Sequence, residues 1–267
     1  MGLCCKDIAC MGGLVRVVTL NDTERRNALT PALVAELGGI VAQVNDTPDV
    51  GGLVLAHEGS AFCAGTDVAY LASIIDDEAA TRAFLTALVG FLATLRGCDK
   101  MTIAAIEGAA VGGGFELALA CDVRILGSEA WVRLPEILLG TIPGGGGVQR
   151  LNQFIGRGEA SAMVLLGERI EAQRCEALGL ARRVAAGKAV EAAIDFAKSA
   201  AAGSRVAVAQ AKKLIRAAEE LPLTDLDTMA IDAMVRTLFC PEGREGIRAM
   251  RDRRNPDFAA ARSRSDA

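Results

Sequence analysis

The sequence predicts an α/β fold, and three observations carry that expectation. Through the first two-thirds of the chain, short strand-like apolar runs alternate with segments of helical period, the pattern of parallel strands joined by crossovers. Of the 267 residues, 51% are hydrophobic, enough for one large domain or a domain with a smaller appendage. From about Val190 onward only helical patterns remain, so a helical appendage follows the core.

The elements follow in order. Residues 14–20 (LVRVVTL) read as a strand, and NDTERRN as a polar turn. Thr30 is placed to cap a helix with Pro31 at its first position. Leu33, Leu37, Ile40, Val41 and Val44 then fall on one apolar face. Residues 51–56 (GGLVLA) form a short, buried type of strand, and the loop HEGSAFCAGTD follows. A helix near 79–95, a strand in MTIAAIEG, a helix opened by VGGG and a strand in VRIL continue the alternation. In the last third, VEAAIDFAKSAA, VAVAQAKKLIRAAEEL and TMAIDAMVRTLF are helical, and their apolar surface needs a partner. The tail beyond Pro256 is polar and expected to fray. The chain has no internal repeat and no low-complexity linker.

Composition excludes several classes of function. A net charge of −4, with 23% of residues charged, gives no general electrostatic footprint for nucleic acid or membrane. The eight cysteines, Cys4, Cys5, Cys10, Cys63, Cys98, Cys121, Cys175 and Cys240, form no CxxC pair. They read as reduced thiols behaving as small apolar residues in an intracellular protein. His57 is the single histidine, so a multi-histidine metal site is impossible and a Ser/His/Asp triad would have to use it. It follows a strand-like run and is expected to be an ordinary loop residue. No uninterrupted run of 18 apolar residues exists, so no transmembrane helix is expected. The start MGLCC carries Lys6 where a myristoylation signal wants Ser or Thr, there is no secretory apolar region, and the end SDA is no peroxisomal address. The expectation is a soluble, cytoplasmic protein without bound metal.

Two glycine-rich stretches precede helices, EGAAVGGG at 107–114 and IPGGGG at 142–147. A helix N-terminus offers free N–H groups and a partial positive charge. Neither stretch has the lysine and hydroxyl of a P-loop or the GxGxxG spacing. Phosphate binding is one use of such a loop, and an oxyanion hole is another. FCAGTD at 62–67 offers a further donor. Glu116 stands alone among apolar residues in the first turn of its helix, and Glu136 sits in LPEILLG. A carboxylate in such surroundings costs several kcal/mol if ionised, or has its proton affinity raised. Two of them beside glycine-rich loops form a candidate acid/base pair, against the plainer reading of a helix-dipole partner and a half-exposed side chain.

Taken together, LNDTERRNAL, SAFCAGTDV, IEGAAVGGGFELALACD, LPEILLGTIPGGGGVQRL and EGIRAMRDRRNPDF resemble the crotonase superfamily, and enoyl-CoA hydratase within it. They occur in family order and cover most of the chain, and the third and fourth are the most specific. The resemblance implies a spiral of ββα units over residues 1–195 and a C-terminal helical region, 196–267, that packs in a trimer or dimer of trimers. It implies that Glu116 helps activate water, that Glu136 exchanges a proton with the substrate α-carbon, and that the backbone N–H groups of Thr66 and Gly113 bind the thioester oxygen. Thr66 replaces the family's usual alanine, which keeps the backbone donor and puts a larger side chain in the pocket. Ala28, Ala64, Asp67, Val68, Gly112, Pro135 and Gly144 are carried over as substrate and CoA contacts. No separate cofactor is implied, since coenzyme A arrives as part of the substrate.

Other residues are weighed against plainer roles. Arg25 or Arg26 meets a CoA phosphate or is a solvated turn. Arg253 and Arg254 lie where a neighbour's basic residue reaches CoA in some relatives, and Phe239 resembles an aromatic near the adenine. Trp131 and Arg133, in AWVRLPE, depart from the family's smaller stretch and either line the acyl pocket or pack beside it. The rival activities are an enoyl-CoA isomerase, which needs one acid/base, and a thioester hydrolase or C–C bond enzyme on the same scaffold. A catalytically silent subunit is disfavoured by the intact glutamate pair. RNA binding would use Arg244, Arg248, Arg251, Arg253, Arg254, Arg262 and Arg264, but Glu242, Glu245 and Asp252 interrupt them, so no nucleic-acid partner is expected.

Overall fold

The computed structural model describes residues 2–183 and 188–263, which leaves Arg264 and the SDA end outside the described residues. Its plan is a repeated step: one strand in a first sheet, one in a second sheet, then helix. Strand β3 (Val50–His57) is followed by β4 (Ala61–Cys63) and helices α2 (Val68–Ile74) and α3 (Glu78–Gly97). Strand β5 (Met101–Ile106) is followed by β6 (Ala109–Val111) and α4 (Gly113–Ala120). Strand β7 (Val123–Leu126) is followed by β8 (Trp131–Arg133), a 3₁₀ turn over Glu136–Leu139 and α5 (Gly147–Leu166). Strands β3, β5 and β7 are parallel neighbours in the large sheet, and β4, β6 and β8 in the small one. The chain therefore spirals, as the ββα expectation required.

The spiral is closed at both ends. Strand β2 (Gly13–Leu20) pairs parallel with β3 and antiparallel with β1 (Leu3–Cys10) at the edge of the large sheet. Sequence reading missed β1, whose side chains are mostly exposed and show no clean alternation. At the other end β9 (Arg169–Glu171) runs antiparallel to β8, and after α6 (Ala172–Ala177) strand β10 (Arg182–Arg183) joins β7.

Period-two alternation assigns each strand residue to a face. Val18, Leu20, Leu53, Leu55, Ala104 and Ile106 point into the main core with Phe62, Phe115 and the apolar stripes of α3 and α1 (Pro31–Asp46). Helix α1 starts as predicted: Thr30 accepts from the Leu33 N–H and Pro31 takes the first position. Val15, Val17, Val54, Ala56, Ile103 and Ala105 point the other way, onto α7 (Ala189–Ala201). Its small stripe Ala189, Ala193, Ala197 and Ala201 lets the helix lie close on the sheet, and an added Cβ at Gly51 would come within 2.6 Å of the Ala201 Cβ. Position 195, where the sequence suggested a boundary, falls within this helix.

Helix α3 bears on the expectation that no helix crosses a membrane. At 20 residues and a mean hydropathy of 1.3 it is long and apolar enough to cross a membrane, although broken by charges. Its Phe84, Leu88, Phe91, Leu92 and Leu95 are buried against the rest of the core, the pattern of an amphipathic core helix. After α7 come α8 (Arg205–Ala217), α9 (Leu223–Phe239), α10 (Pro241–Arg251) and α11 (Phe258–Ser263). The last of these overturns the expectation of a frayed tail. Arg262 donates to the buried Glu242 at 2.6 Å and to the Gly12 carbonyl at 2.9 Å, tying the end of the chain to the β1–β2 turn.

Candidate active site

Helix α4 organises the site. Gly112 precedes it with φ of 54°, a left-handed conformation that favours glycine, and an added Cβ there would sit 2.9 Å from Glu136 Oε1. Gly113 is the first helical residue, so its N–H has no partner within the helix. The other end of α4 is covered by the buried Arg124 guanidinium, whose Nη1 donates to the carbonyls of Cys121 at 2.9 Å and Ala118 at 3.3 Å. A cation at the C-terminus and an open N-terminus leave the favourable end of the dipole facing the site.

A second donor faces Gly113. Leu29 bridges the segment at Thr66, donating to the Gly65 carbonyl at 2.7 Å and accepting from the Asp67 N–H at 3.1 Å. In this parallel bridge the polar groups of Thr66 point away from Leu29. Thr66 N lies 3.6 Å from where a Cβ on Gly113 would stand, and Thr66 Oγ1 lies 3.5 Å from the same point. Among the described residues no acceptor is taken by the Thr66 N–H. The two N–H groups thus border one small space, and the threonine hydroxyl borders it too. Asn27 braces this wall. It is fully buried, donates to the carbonyls of Glu58 at 3.1 Å and Ala61 at 2.8 Å, and accepts from the Asp22 N–H at 2.8 Å. Arg26 and Asn27 both have positive φ, so the NDTERRN turn is a shaped support.

The two carboxylates sit on either side. Glu116 is 2% exposed and its Oε1 accepts from the N–H groups of Gly145 and Gly147, both at 2.8 Å. The glycine-rich stretch 142–147, weighed as a phosphate loop or an oxyanion hole, holds the protein's own Glu116 carboxyl, at the N-terminus of α5. Burial pushes the proton affinity of Glu116 up, while those two bonds and the nearby Arg150 pull it down. Glu136 opens the 3₁₀ turn after Pro135 and is half-buried, with Oε2 buried and unpartnered among the described residues. Burial first, and the Glu116 charge to a lesser degree, lift its pKa to about 7. The site therefore pairs an anchored glutamate with one whose proton affinity is raised toward neutrality, next to two N–H groups that have no acceptor among the described residues. Such a set can move protons and stabilise a developing oxyanion.

The remaining predicted residues fall around this centre with uneven fit. Ala28 is buried beside Leu29, and the Ala64 N–H donates to the Arg26 carbonyl at 3.0 Å. Asp67 caps α2, accepting from Tyr70 N–H at 2.7 Å, and Val68 after it is exposed. Gly144 is exposed in the loop below Leu85. Trp131 is stacked under Arg169, 4.2 Å from guanidinium to ring, and Arg133 Nε donates to the Gly167 carbonyl at 2.7 Å. Both side chains are thus engaged along the β8–β9 pair. Arg25 pairs with Asp22 at 3.4 Å, Arg254 pairs with Glu245 at 2.5 Å, and Phe239 is exposed. His57 departs from its expected role as a loop residue. It ends β3, and its Nε2 accepts from the Glu107 N–H at 3.0 Å. Arg150 was not singled out from the sequence, and neither the bracing side chain of Asn27 nor the bonds from Gly145 and Gly147 to Glu116 were expected. A glycine-rich loop and a buried glutamate both lacking a partner was the signal that would have joined two of them to Glu116.

Comparison with known proteins gives a consistent result. The family described as enoyl-CoA hydratase/isomerase matches residues 12–261. The mitochondrial enoyl-CoA hydratase of Pongo abelii is 34% identical over 245 residues, spanning 91% of this chain and 83% of that protein. A probable enoyl-CoA hydratase of Mycobacterium tuberculosis is 38% identical over 213 residues, 80% of this chain and 82% of that protein. The crystal structure of an enoyl-CoA hydratase from Bacillus anthracis superposes with a TM-score of 0.90 at 32% identity, covering 96% of this chain and 98% of that one.

Proposed function

The chain belongs to the enoyl-CoA hydratase/isomerase family, within the crotonase superfamily, and from that premise we propose that it adds water reversibly to a 2-enoyl-CoA to give a 3-hydroxyacyl-CoA. The observation that supports hydration over isomerisation is the pair of carboxylates at one N–H pair, since isomerisation needs only one acid/base. The thioester oxygen accepts from the N–H groups of Thr66 and Gly113. Water attacks the β-carbon and gives a proton to Glu116, the double-bond electrons move toward the thioester oxygen, and Glu136 delivers its proton to the α-carbon. Glu116 ends protonated and Glu136 ionised, so the pair carries one proton before and after. Each N–H donor contributes about 2.7–4 kcal/mol to such a transition state.

In this reading Ala28, Ala64, Asp67, Val68, Gly112, Pro135 and Gly144 border the bound acyl-CoA, and coenzyme A enters only as part of the substrate. The spiral through α7 carries the site, and the helices after it assemble copies into a trimer or dimer of trimers, in the cytoplasm. The test follows the loss of the conjugated thioester absorbance of crotonyl-CoA, with Glu116→Gln and Glu136→Gln alongside. Each substitution is expected to slow hydration by about 10²–10⁴-fold with the fold intact. A folded wild type that leaves crotonyl-CoA untouched but converts a 3-enoyl-CoA would replace hydration with isomerisation.

A further inference from the structure

Arg150, in the first turn of α5, is 8% exposed. Its Nη1 donates to the Gly145 carbonyl at 2.5 Å, and a Cβ on Gly146 would lie 2.8 Å from the same nitrogen, so the guanidinium is folded back across the glycine-rich loop. Its Nε is buried and has no acceptor among the described residues. Burying a guanidinium with an unmatched N–H is costly, and a side chain that only needed to fill space there would be apolar. The loop under it holds Glu116 through Gly145 and Gly147. The other charges facing Arg150 are Glu116 itself, Arg96 and Glu219, and Arg96 and Glu219 are paired with each other. Glu116 in turn faces Arg150 and Glu136. Glu116 is thus the carboxylate near Arg150 that faces no other cation among the described residues.

We propose that Arg150 is a positioning residue that draws the loop at 144–147 onto Glu116 and supplies the positive charge that, among the described residues, faces that carboxylate. The role of Glu116 as the group that receives the water's proton rests on the hydration reading above; the bond from Arg150 to the loop that holds Glu116 does not. Arg150→Lys keeps a charge and loses the fork, whereas Arg150→Gln keeps a donor and loses the charge.

The experiment measures crotonyl-CoA hydration against pH for wild type, both Arg150 variants and Glu116→Gln. In the same samples, the Glu116 carboxyl stretch is isolated by subtracting the infrared spectrum of Glu116→Gln. The expected result for Arg150→Gln is a kcat lowered about 10–100-fold, little change in KM, and a Glu116 titration and acid limb moved up by about one pH unit or more. Arg150→Lys is expected to restore most of the limb and part of kcat. Unshifted titrations in both variants would overturn the proposal, as would equal shifts in both. Should Arg150→Gln fail to fold, Arg150→Lys decides alone, since an unchanged kcat would overturn the role of the fork. A wild type that does not hydrate crotonyl-CoA would count against the hydration reading, and the infrared titration would still judge Arg150.

Discussion

Glu116 and Glu136 differ in surroundings more than in chemistry. One is anchored by two N–H groups and faced by a guanidinium; the other has an unpartnered oxygen and a pKa lifted to about 7. Hydration needs the first ionised and the second protonated. As pH rises through about 7 Glu136 loses its proton, and at low pH Glu116 gains one above the usual carboxylate range, so kcat/KM is expected to be bell-shaped. In the proposed mechanism the pair carries one proton in either direction, so dehydration of the hydroxyacyl-CoA should show the same two limbs. Opposite profiles for the two directions would refute a shared proton. The glycine that approaches Glu116 is a further residue-scale test. A Cβ at Gly145 would stand 2.5 Å from Glu116 Oε2, so Gly145→Ala must push the carboxylate off its donors. A drop in kcat of about 10²-fold with KM nearly constant is expected, and unchanged kinetics would contradict this packing. His57 concerns stability instead. Burial lowers its pKa, and above about 6.5 both folded and unfolded chains hold it neutral. Below that, the unfolded chain takes up a proton the folded ring refuses, so stability falls as pH falls. Melting temperature between pH 6.5 and 5 should decline more steeply for wild type than for His57→Gln.

At the level of elements, α11 illustrates an anchor that periodicity does not reveal. Its hold on the molecule is Arg262, bonded to Glu242 at position 242 and to the carbonyl of Gly12 at the far end of the chain. Glu242 keeps the Ser204 hydroxyl and the Val206 N–H as donors, so Arg262→Met removes the ion pair and the bond to the Gly12 carbonyl without stranding the carboxylate. A loss of about 2–3 kcal/mol is expected, a melting shift of roughly 4–12 °C, with kcat retained. An unshifted melt would mean α11 contributes nothing to the fold. The same contrast explains what the sequence made legible. The long elements α1, α3, β3 and β5 were readable because caps and apolar periods are local. The second sheet was not, because β4, β6 and β8 are three residues each, too short for alternation to register. The chemistry of α4 was readable because glycines and a glutamate stand side by side. The partners of Glu116 were not, since Gly145 and Gly147 reach it from 29 and 31 residues away and only the spiral brings them there.

At the level of the whole molecule, the surface left on the C-terminal helices sets the last expectation. Ile231, Met234, Val235 and Phe239 follow a helical spacing on α9 and are 65%, 58%, 50% and 70% exposed in the single chain, with Ile247 and Met250 of α10 also exposed. Helix α9 has one buried residue, Ala233, so its own chain does not explain why it carries such a stripe. Burial of that stripe against copies of the same chain would offset the cost of leaving it in water, at about 25 cal/mol per Å². Light scattering on purified protein is therefore expected to give the mass of three or six 27.8-kDa chains. Charging the stripe, with Ile231→Glu and Val235→Glu together, should release monomers while the far-ultraviolet helix signal persists, because neither side chain belongs to the buried core. A wild type that scatters as a single chain at micromolar concentration would show that the stripe serves some other contact. Any loss of hydration in the released monomers would then measure how far the site at Glu116 depends on a neighbour.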